Sequence, residues 1–280
     1  MGSLTTALAS WLDARATGGQ WFVRLEDLDT PREEPGAADM ILQQLKAHGL
    51  YWDEWDDTAS TEGVLYQSRR QDAYETALHA LIAKGLAYPC TCSRKRLQYA
   101  IELGKTRYNP DGEILYPGYC RPEAPIERSI DAAKTWFRDT DGEGVAWRFF
   151  NHDRDDFVVK RADRFWAYQL AVVVDDAYQG ITRIVRGDDL FHAAPRQTAL
   201  RQTLDYQTPD VFHVPVVKND LGDKLSKQTK AMPLRTDTSK IIHLQLECAW
   251  SHLELHMSAR WVERVRAIYQ RLARQTKEVF

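Results

Sequence analysis

The sequence predicts an α/β fold, in which amphipathic helices alternate with short apolar strands and an irregular insertion interrupts the alternation. Two observations predict it. Apolar residues recur at three- and four-residue steps from Gly2 to Ala16, with Leu4, Ala7, Leu8, Trp11 and Leu12 on one side, from Pro35 to His48, and from Gln67 to Lys84. Short apolar runs separate and follow these helices: Trp21 to Leu25, Phe165 to Val174, Ile181 to Val185 and Val211 to Val217.

Taken in order, the first helix stops at Gly18-Gly19. The strand Trp21 to Leu25 then delivers Glu26 and Asp27 to its carboxyl end, where open parallel sheets bind ligands. From Pro89 to Trp147 the texture changes to Pro, Gly, Cys and charged residues with weak periodicity, which reads as an inserted subdomain over 89–147. The sheet is expected to resume at Phe165 to Val174 and Ile181 to Val185, followed by a helix from Arg196 to Leu204 and the strand from Val211. Residues 1–235 form the expected core, and 236–280 a short helical C-terminal region.

A chain of 280 residues can hold one large or two modest domains, and 44% hydrophobic content is ample for a buried core. Its net charge of −3 argues against a uniformly basic nucleic-acid coat, but a balanced total can hide a local basic face. No apolar stretch approaches the roughly 18 residues that span a bilayer, and the N-terminus lacks a secretory pattern, so a cytoplasmic protein is expected.

Three segments carry chemistry. Lys224-Leu225-Ser226-Lys227-Gln228 sets two lysines around a hydroxyl on a Gly/Asp-rich loop. Mobile ammonium groups on such a loop can follow charge as it shifts onto a departing pyrophosphate. Val23-Arg24-Leu25-Glu26-Asp27-Leu28-Asp29 and Ile184-Val185-Arg186-Gly187-Asp188-Asp189-Leu190 each follow an apolar stretch and cluster opposite charges near a strand end. Separately, Cys90-Thr91-Cys92 and Cys120 cluster inside the insertion, and three neighbouring cysteines in a cytosolic chain suggest a metal more than a disulfide. No histidine lies between His79 and His152 to complete a four-ligand zinc set, so the fourth ligand must be unusual.

These segments, in this order, resemble the catalytic core of class I glutamyl-type tRNA synthetases, over most of the chain from Gly2 to about Pro233. The resemblance implies a Rossmann-like core, with Lys224-Leu225-Ser226-Lys227-Gln228 as the KMSKS loop. It implies that Glu26 receives the ammonium group of glutamate and that Tyr168 and Arg186 line the glutamate site. Arginine's planar fork suits the side-chain carboxylate. Lys224 and Lys227 would steady the phosphates, Gly2, Ser3 and Lys227 would contact ATP, and magnesium would accompany the nucleotide.

C-x-C followed by Tyr-x-x-x-Cys resembles the zinc knuckle of one synthetase relative, which implies Cys90, Cys92, Tyr116 and Cys120 as ligands. Tyr119, a nearby carboxylate, water, or three unligated thiols are the alternatives. The family's first signature ends in a His-x-Gly-Ser stretch, and Met1-Gly2-Ser3-Leu4 aligns just after its histidine, so the first strand is expected to be missing.

About fifty residues follow Gln228, too few for the helical anticodon-binding region of a full glutamyl synthetase. The resemblance therefore narrows to the truncated branch that activates L-glutamate with ATP and attaches it to queuosine in the anticodon of tRNA(Asp). The expected partners are ATP, L-glutamate and tRNA(Asp) bearing queuosine, with no membrane partner, and the chain is expected to be a monomer. A catalytically silent tRNA-binding paralogue and a fragment of a glutamyl-tRNA synthetase are the competing readings.

Overall fold

The computed structural model describes residues 1–280 except 30, 32, 110, 111, 219–221, 223–233, 279 and 280. In chain order the elements are α1 (Gly2–Ala16), β1 (Arg24–Leu25), α2 (Ala37–Ala47), β2 (Ser60–Thr61), β3 (Val64–Tyr66), α3 (Gln71–Ala83), β4 (Ala87–Cys90), α4 (Arg94–Glu102) and α5 (Ile130–Thr140). They continue with β5 (Ala146–Phe149), β6 (Val158–Lys160), α6 (Tyr168–Tyr178), β7 (Arg183–Gly187), α7 (Ala194–Thr203), β8 (Asp210–Val214), α8 (Ser239–His256) and α9 (Ala259–Glu278). Helices and short strands are interspersed along the chain, as expected of an α/β fold, with β2–β3 and β5–β6 as consecutive strands and α4–α5 and α8–α9 as consecutive helices. The pairs β1–β3 and β7–β8 are parallel, whereas β2–β3, β4–β5 and β5–β6 are antiparallel. Among the described residues no helix is long and apolar enough to cross a membrane.

The chain divides into two compact units. The first comprises Met1–Tyr66, Arg183–Phe191 and Asp210–Phe280. Leu4, Leu8 and Leu12, one helical turn apart on α1, are buried with Val23 just ahead of β1, with Leu25, Val64 and Val214 from the strands and with Leu246, Leu253, Val265 and Leu272 from α8 and α9. A carboxylate is sealed into this core. Asp13 of α1 is 1% exposed and accepts hydrogen bonds from Arg183 Nε at 2.5 Å, Trp261 Nε1 at 2.9 Å and Arg264 Nη2 at 2.5 Å. A single carboxylate thus ties α1 to β7 and α9.

Two strand readings are corrected. The strand expected over Trp21 to Leu25 pairs as β-structure only at Arg24–Leu25. Ahead of it the main chain of Trp21 is tied to Asp53, its N–H to the carboxylate at 2.7 Å and its C=O to the Asp53 N–H at 2.9 Å. The strand expected over Phe165 to Val174 is instead helical from Tyr168 onward, in α6. Leu170 to Asp176 are all buried, so the segment shows neither period, and a fully buried helix reads like a fully buried strand.

The second unit comprises Gln67–Thr182 and His192–Pro209. Two buried acids of α6 anchor it. Asp175, 0% exposed, accepts from Gln67 Nε2 at 2.8 Å, Arg70 Nε at 2.5 Å and Tyr74 Oη at 2.7 Å, and Asp176 accepts from Arg201 Nη2 at 2.6 Å. The antiparallel sheet β4–β5–β6 lies in this unit, in a register that sets Cys90 opposite Ala146 and Tyr88 opposite Arg148. Gly85, which turns the chain from α3 into β4 at φ +70°, lies so close to the Ile126 backbone that a Cβ would collide with it.

Candidate functional site

The sulfur cluster is built on the end of β4. Cys90 is the strand's last residue, and Cys92 follows just before α4, whose N-terminus Ser93 caps by accepting the Arg96 N–H at 3.2 Å. The stretch between Ser93 and Tyr116 is taken up by α4 and by a bridge between Tyr108 and Ile114, which returns the chain to the cysteines. The Sγ atoms of Cys90, Cys92 and Cys120 lie within 4.8 Å of one another, and all three are free thiols. Tyr116 Oη sits 3.4 Å from Cys90 Sγ and 3.7 Å from Cys92 Sγ, and accepts the Cys120 N–H at 2.7 Å.

Three sulfurs and one phenol oxygen converging on one point make a donor set that fits a tetrahedral, zinc-like ion. Tyr119 is placed differently: it is exposed, with the Arg96 guanidinium 4.8 Å above its ring. Among the described residues no histidine or carboxylate joins the three cysteines.

The electrostatics of the cluster follow from its burial. Desolvation pushes the Cys92 thiol up to about 11, with the neighbouring Cys90 and Cys120 adding to the rise and the Tyr116 hydrogen bond opposing it. Desolvation also raises the Tyr116 hydroxyl well above the usual phenol range. At Cys120 the same desolvation is outweighed by hydrogen bonds from Tyr116, from the Thr91 backbone and from Cys92, so its thiol lies below the ordinary value. Arg148 packs against the cluster, donating Nε–H to Cys90 Sγ at 3.3 Å. Sequence reasoning missed this residue, although a lone cation inside the fully buried strand β5 is a readable signal.

In the first unit, Glu26 follows β1 directly, exposed to solvent, with one carboxylate oxygen 3.8 Å from Arg24 Nη2. Arg186 lies on β7, 7% exposed, and donates Nε–H to His213 Nε2 of β8 at 3.4 Å. Desolvation and the Arg186 charge hold His213 below the usual imidazole range against the pull of Asp188, so the ring is the neutral acceptor this bond needs. The following turn is tight. A Cβ on Gly187 would meet the Asp189 carboxylate and Val216, and Asp188 Oδ1 accepts the Val216 N–H at 3.1 Å.

Gly2 and Ser3 open α1, where the first amide N–H groups have no acceptor within the helix. Tyr168 begins α6 in the second unit and is exposed. Lys224 and Lys227 lie outside the described residues.

Comparison with known proteins adds the family. The model for the catalytic domain of class I tRNA synthetases (E and Q) matches residues 1–116 and 130–241. The glutamyl-Q tRNA(Asp) synthetase of Thiobacillus denitrificans is 49% identical over 243 residues, covering 84% of this chain and 75% of that protein. The protein of the same name from Cupriavidus metallidurans is 43% identical over 288 residues, covering 96% of this chain and 88% of that one. Among solved structures, a glutamate tRNA ligase of Elizabethkingia meningosepticum, crystallised with its amino acid, superposes with a TM-score of 0.62 at 23% identity. That match covers 81% of this chain and 49% of the ligase, so this chain spans about half its length, and the likeness speaks for the fold alone. The chain belongs to the glutamyl-Q tRNA(Asp) synthetases, a family of class I tRNA synthetases of the E and Q type.

Proposed function

We propose that this chain activates L-glutamate with ATP and transfers it to the queuosine base in the anticodon of tRNA(Asp). The observation that carries the reading is the 49% identity, over most of both chains, to a protein named for that reaction. In the first step a carboxylate oxygen of glutamate attacks the α-phosphorus of ATP. The bond to the bridging oxygen breaks, and pyrophosphate leaves with the electron pair. No protein nucleophile is needed, so catalysis rests on positioning and on stabilising the shifting charge. In the second step a queuosine hydroxyl attacks the adenylate carbonyl, AMP departs, and the hydroxyl proton is released.

The proposed roles follow from side-chain chemistry. Glu26, at a strand end and open to solvent, offers an anionic acceptor for the glutamate ammonium. Arg186, oriented through its Nε by His213, is proposed to offer its planar fork to the side-chain carboxylate as a pair of hydrogen bonds. Tyr168 is proposed to supply a wall and a hydroxyl to the glutamate. The opening amides of α1 at Gly2 and Ser3 suit a phosphate oxygen. Lys224 and Lys227 would neutralise the phosphates and pyrophosphate, with Mg2+ carried on the nucleotide. Cys90, Cys92, Tyr116 and Cys120 would hold a structural zinc ion, within a core whose Rossmann-like character and inserted zinc-binding subdomain belong to the same reading.

The test offers labelled glutamate and ATP with tRNA(Asp) carrying or lacking queuosine, and with tRNA(Glu). Label should enter only queuosine-bearing tRNA(Asp), and charging of tRNA(Glu) at its acceptor end would overturn the assignment.

A further inference from the structure

Arg148 is third in β5, a strand whose four residues are all buried, and is itself 7% exposed. A guanidinium keeps its proton inside a protein, so a permanent charge sits in this unit's interior. A buried charge without a compensating anion is strongly unfavourable. The carboxylate of Asp156 does not compensate it, being bound by Tyr88 Oη at 2.5 Å, by the Asn151 N–H at 2.9 Å and by Arg121.

Arg148 reaches only the main-chain oxygen of Asp156, from Nη1 at 3.3 Å. Among the described residues no carboxylate forms an ion pair with it, and its other polar contacts are the cluster itself. Nε donates to Cys90 Sγ at 3.3 Å, and the guanidinium carbon lies 3.9 Å from the centre of the Tyr116 ring. A cation against a sulfur and an aromatic face is well placed once that sulfur is a thiolate.

We infer that Arg148 is the resident counter-cation of the metal centre, which is built for a dication held by three thiolates and a neutral phenol. Three thiolates around a dication leave one negative charge, and one guanidinium cancels it. A fourth thiolate or a carboxylate in place of Tyr116 would leave the buried assembly charged, which gives a reason for a phenol at that position. The inference rests on the proposed zinc site, and its test separates the two.

The full chain is compared with Arg148→Met, Arg148→Gln and Arg148→Lys. Zinc content is measured, zinc affinity is found by competition with a chromophoric chelator, and loaded and stripped forms are melted. Outer-shell partners of metal ligands contribute about ten- to hundredfold in affinity, so the Met and Gln variants should bind zinc weaker by that factor. The Lys variant, which keeps the charge, should retain most of the affinity. In the stripped forms the Met variant should melt no lower than the parent, because the buried cation then has no thiolate set beside it.

Parent-like affinity in the Gln variant, which can still donate to Cys90, would overturn the charge role. An equal loss of melting temperature in loaded and stripped Met variants would reduce Arg148 to a packing residue. A parent chain that takes up no zinc would remove the site and the inference together, whereas zinc held equally by all variants would remove the inference alone.

Discussion

Arg186 donates its Nε–H to His213 Nε2 at 3.4 Å, across the parallel strands β7 and β8, whose register sets the two residues side by side. The bond exists only while His213 is neutral. Desolvation and the Arg186 charge depress its pKa below the ordinary value of 6.5, with Asp188 opposing. For a group depressed on folding, the neutral arrangement is fully present above the unfolded pKa and is lost as pH falls through the folded one. Acidification through this depressed pKa, below 6.5, should therefore release Arg186 and place a second cation beside it. The KM for glutamate in pyrophosphate exchange should rise on that side, and His213→Gln, a neutral acceptor that does not titrate, should flatten the rise. An equally steep acid limb in the variant would separate His213 from Arg186.

Asp13 makes a second prediction, about stability. Removing a partner from a buried pair typically destabilises by about 3–5 kcal/mol. Arg183 and Arg264 are 35% and 43% exposed and can turn to water, so a smaller loss of about 2–3 kcal/mol is expected for Asp13→Ala. Denaturant midpoints at unchanged slope would measure it. A change below about 1 kcal/mol, the scale of an exposed pair, would show that the three donors find water at no cost.

How much of this was legible in the sequence depends on whether a residue's partner is near in the chain. Leu4, Leu8 and Leu12 repeat at helical spacing, so α1 could be read outright. In α6 the buried run from Leu170 to Val174 erases the period, and the anchors that fix it as a helix, Arg70 and Tyr74 on Asp175, are about a hundred residues away. The strand at Trp21 was overextended because Asp53, its main-chain partner, is 32 residues distant. Cysteine spacing made Cys90, Cys92 and Cys120 legible as one group, but the pairing of Arg148 with Cys90 spans 58 residues and depends on the β4–β5 register.

The lysine loop and Arg186 should fail in different ways. Lys227, outside the described residues, is proposed to act on charge that develops as pyrophosphate leaves, so Lys227→Ala should lower kcat for adenylate formation by roughly tenfold or more with little change in the glutamate KM. Arg186→Ala removes a charged hydrogen-bond fork, about 1.5–3 kcal/mol, which corresponds to a KM for glutamate raised roughly ten- to hundredfold. Pyrophosphate exchange at varied glutamate separates the two. A Lys227 variant that exchanges like the parent would reject the phosphate role.

The choice between Tyr116 and Tyr119 as fourth ligand gives the last prediction. Tyr116 Oη is in contact with Cys90 and Cys92 and bonded to the Cys120 N–H, whereas Tyr119 is exposed with Arg96 over its ring. Tyr116→Phe keeps the ring beneath Arg148 and deletes only the oxygen, leaving three sulfurs where a closed tetrahedral site needs four donors. The parent should carry about one zinc per chain, as a single such site implies. The Phe variant should lose it to a chelator at least about tenfold more readily, the scale set even by outer-shell contributions. It should also melt lower only when zinc is limiting, because binding free energy at a structural site is folding free energy. Tyr119→Phe should leave retention unchanged. If Tyr116→Phe holds zinc as the parent does while Tyr119→Phe releases it, the fourth ligand is Tyr119. If neither changes, the fourth position is filled by water.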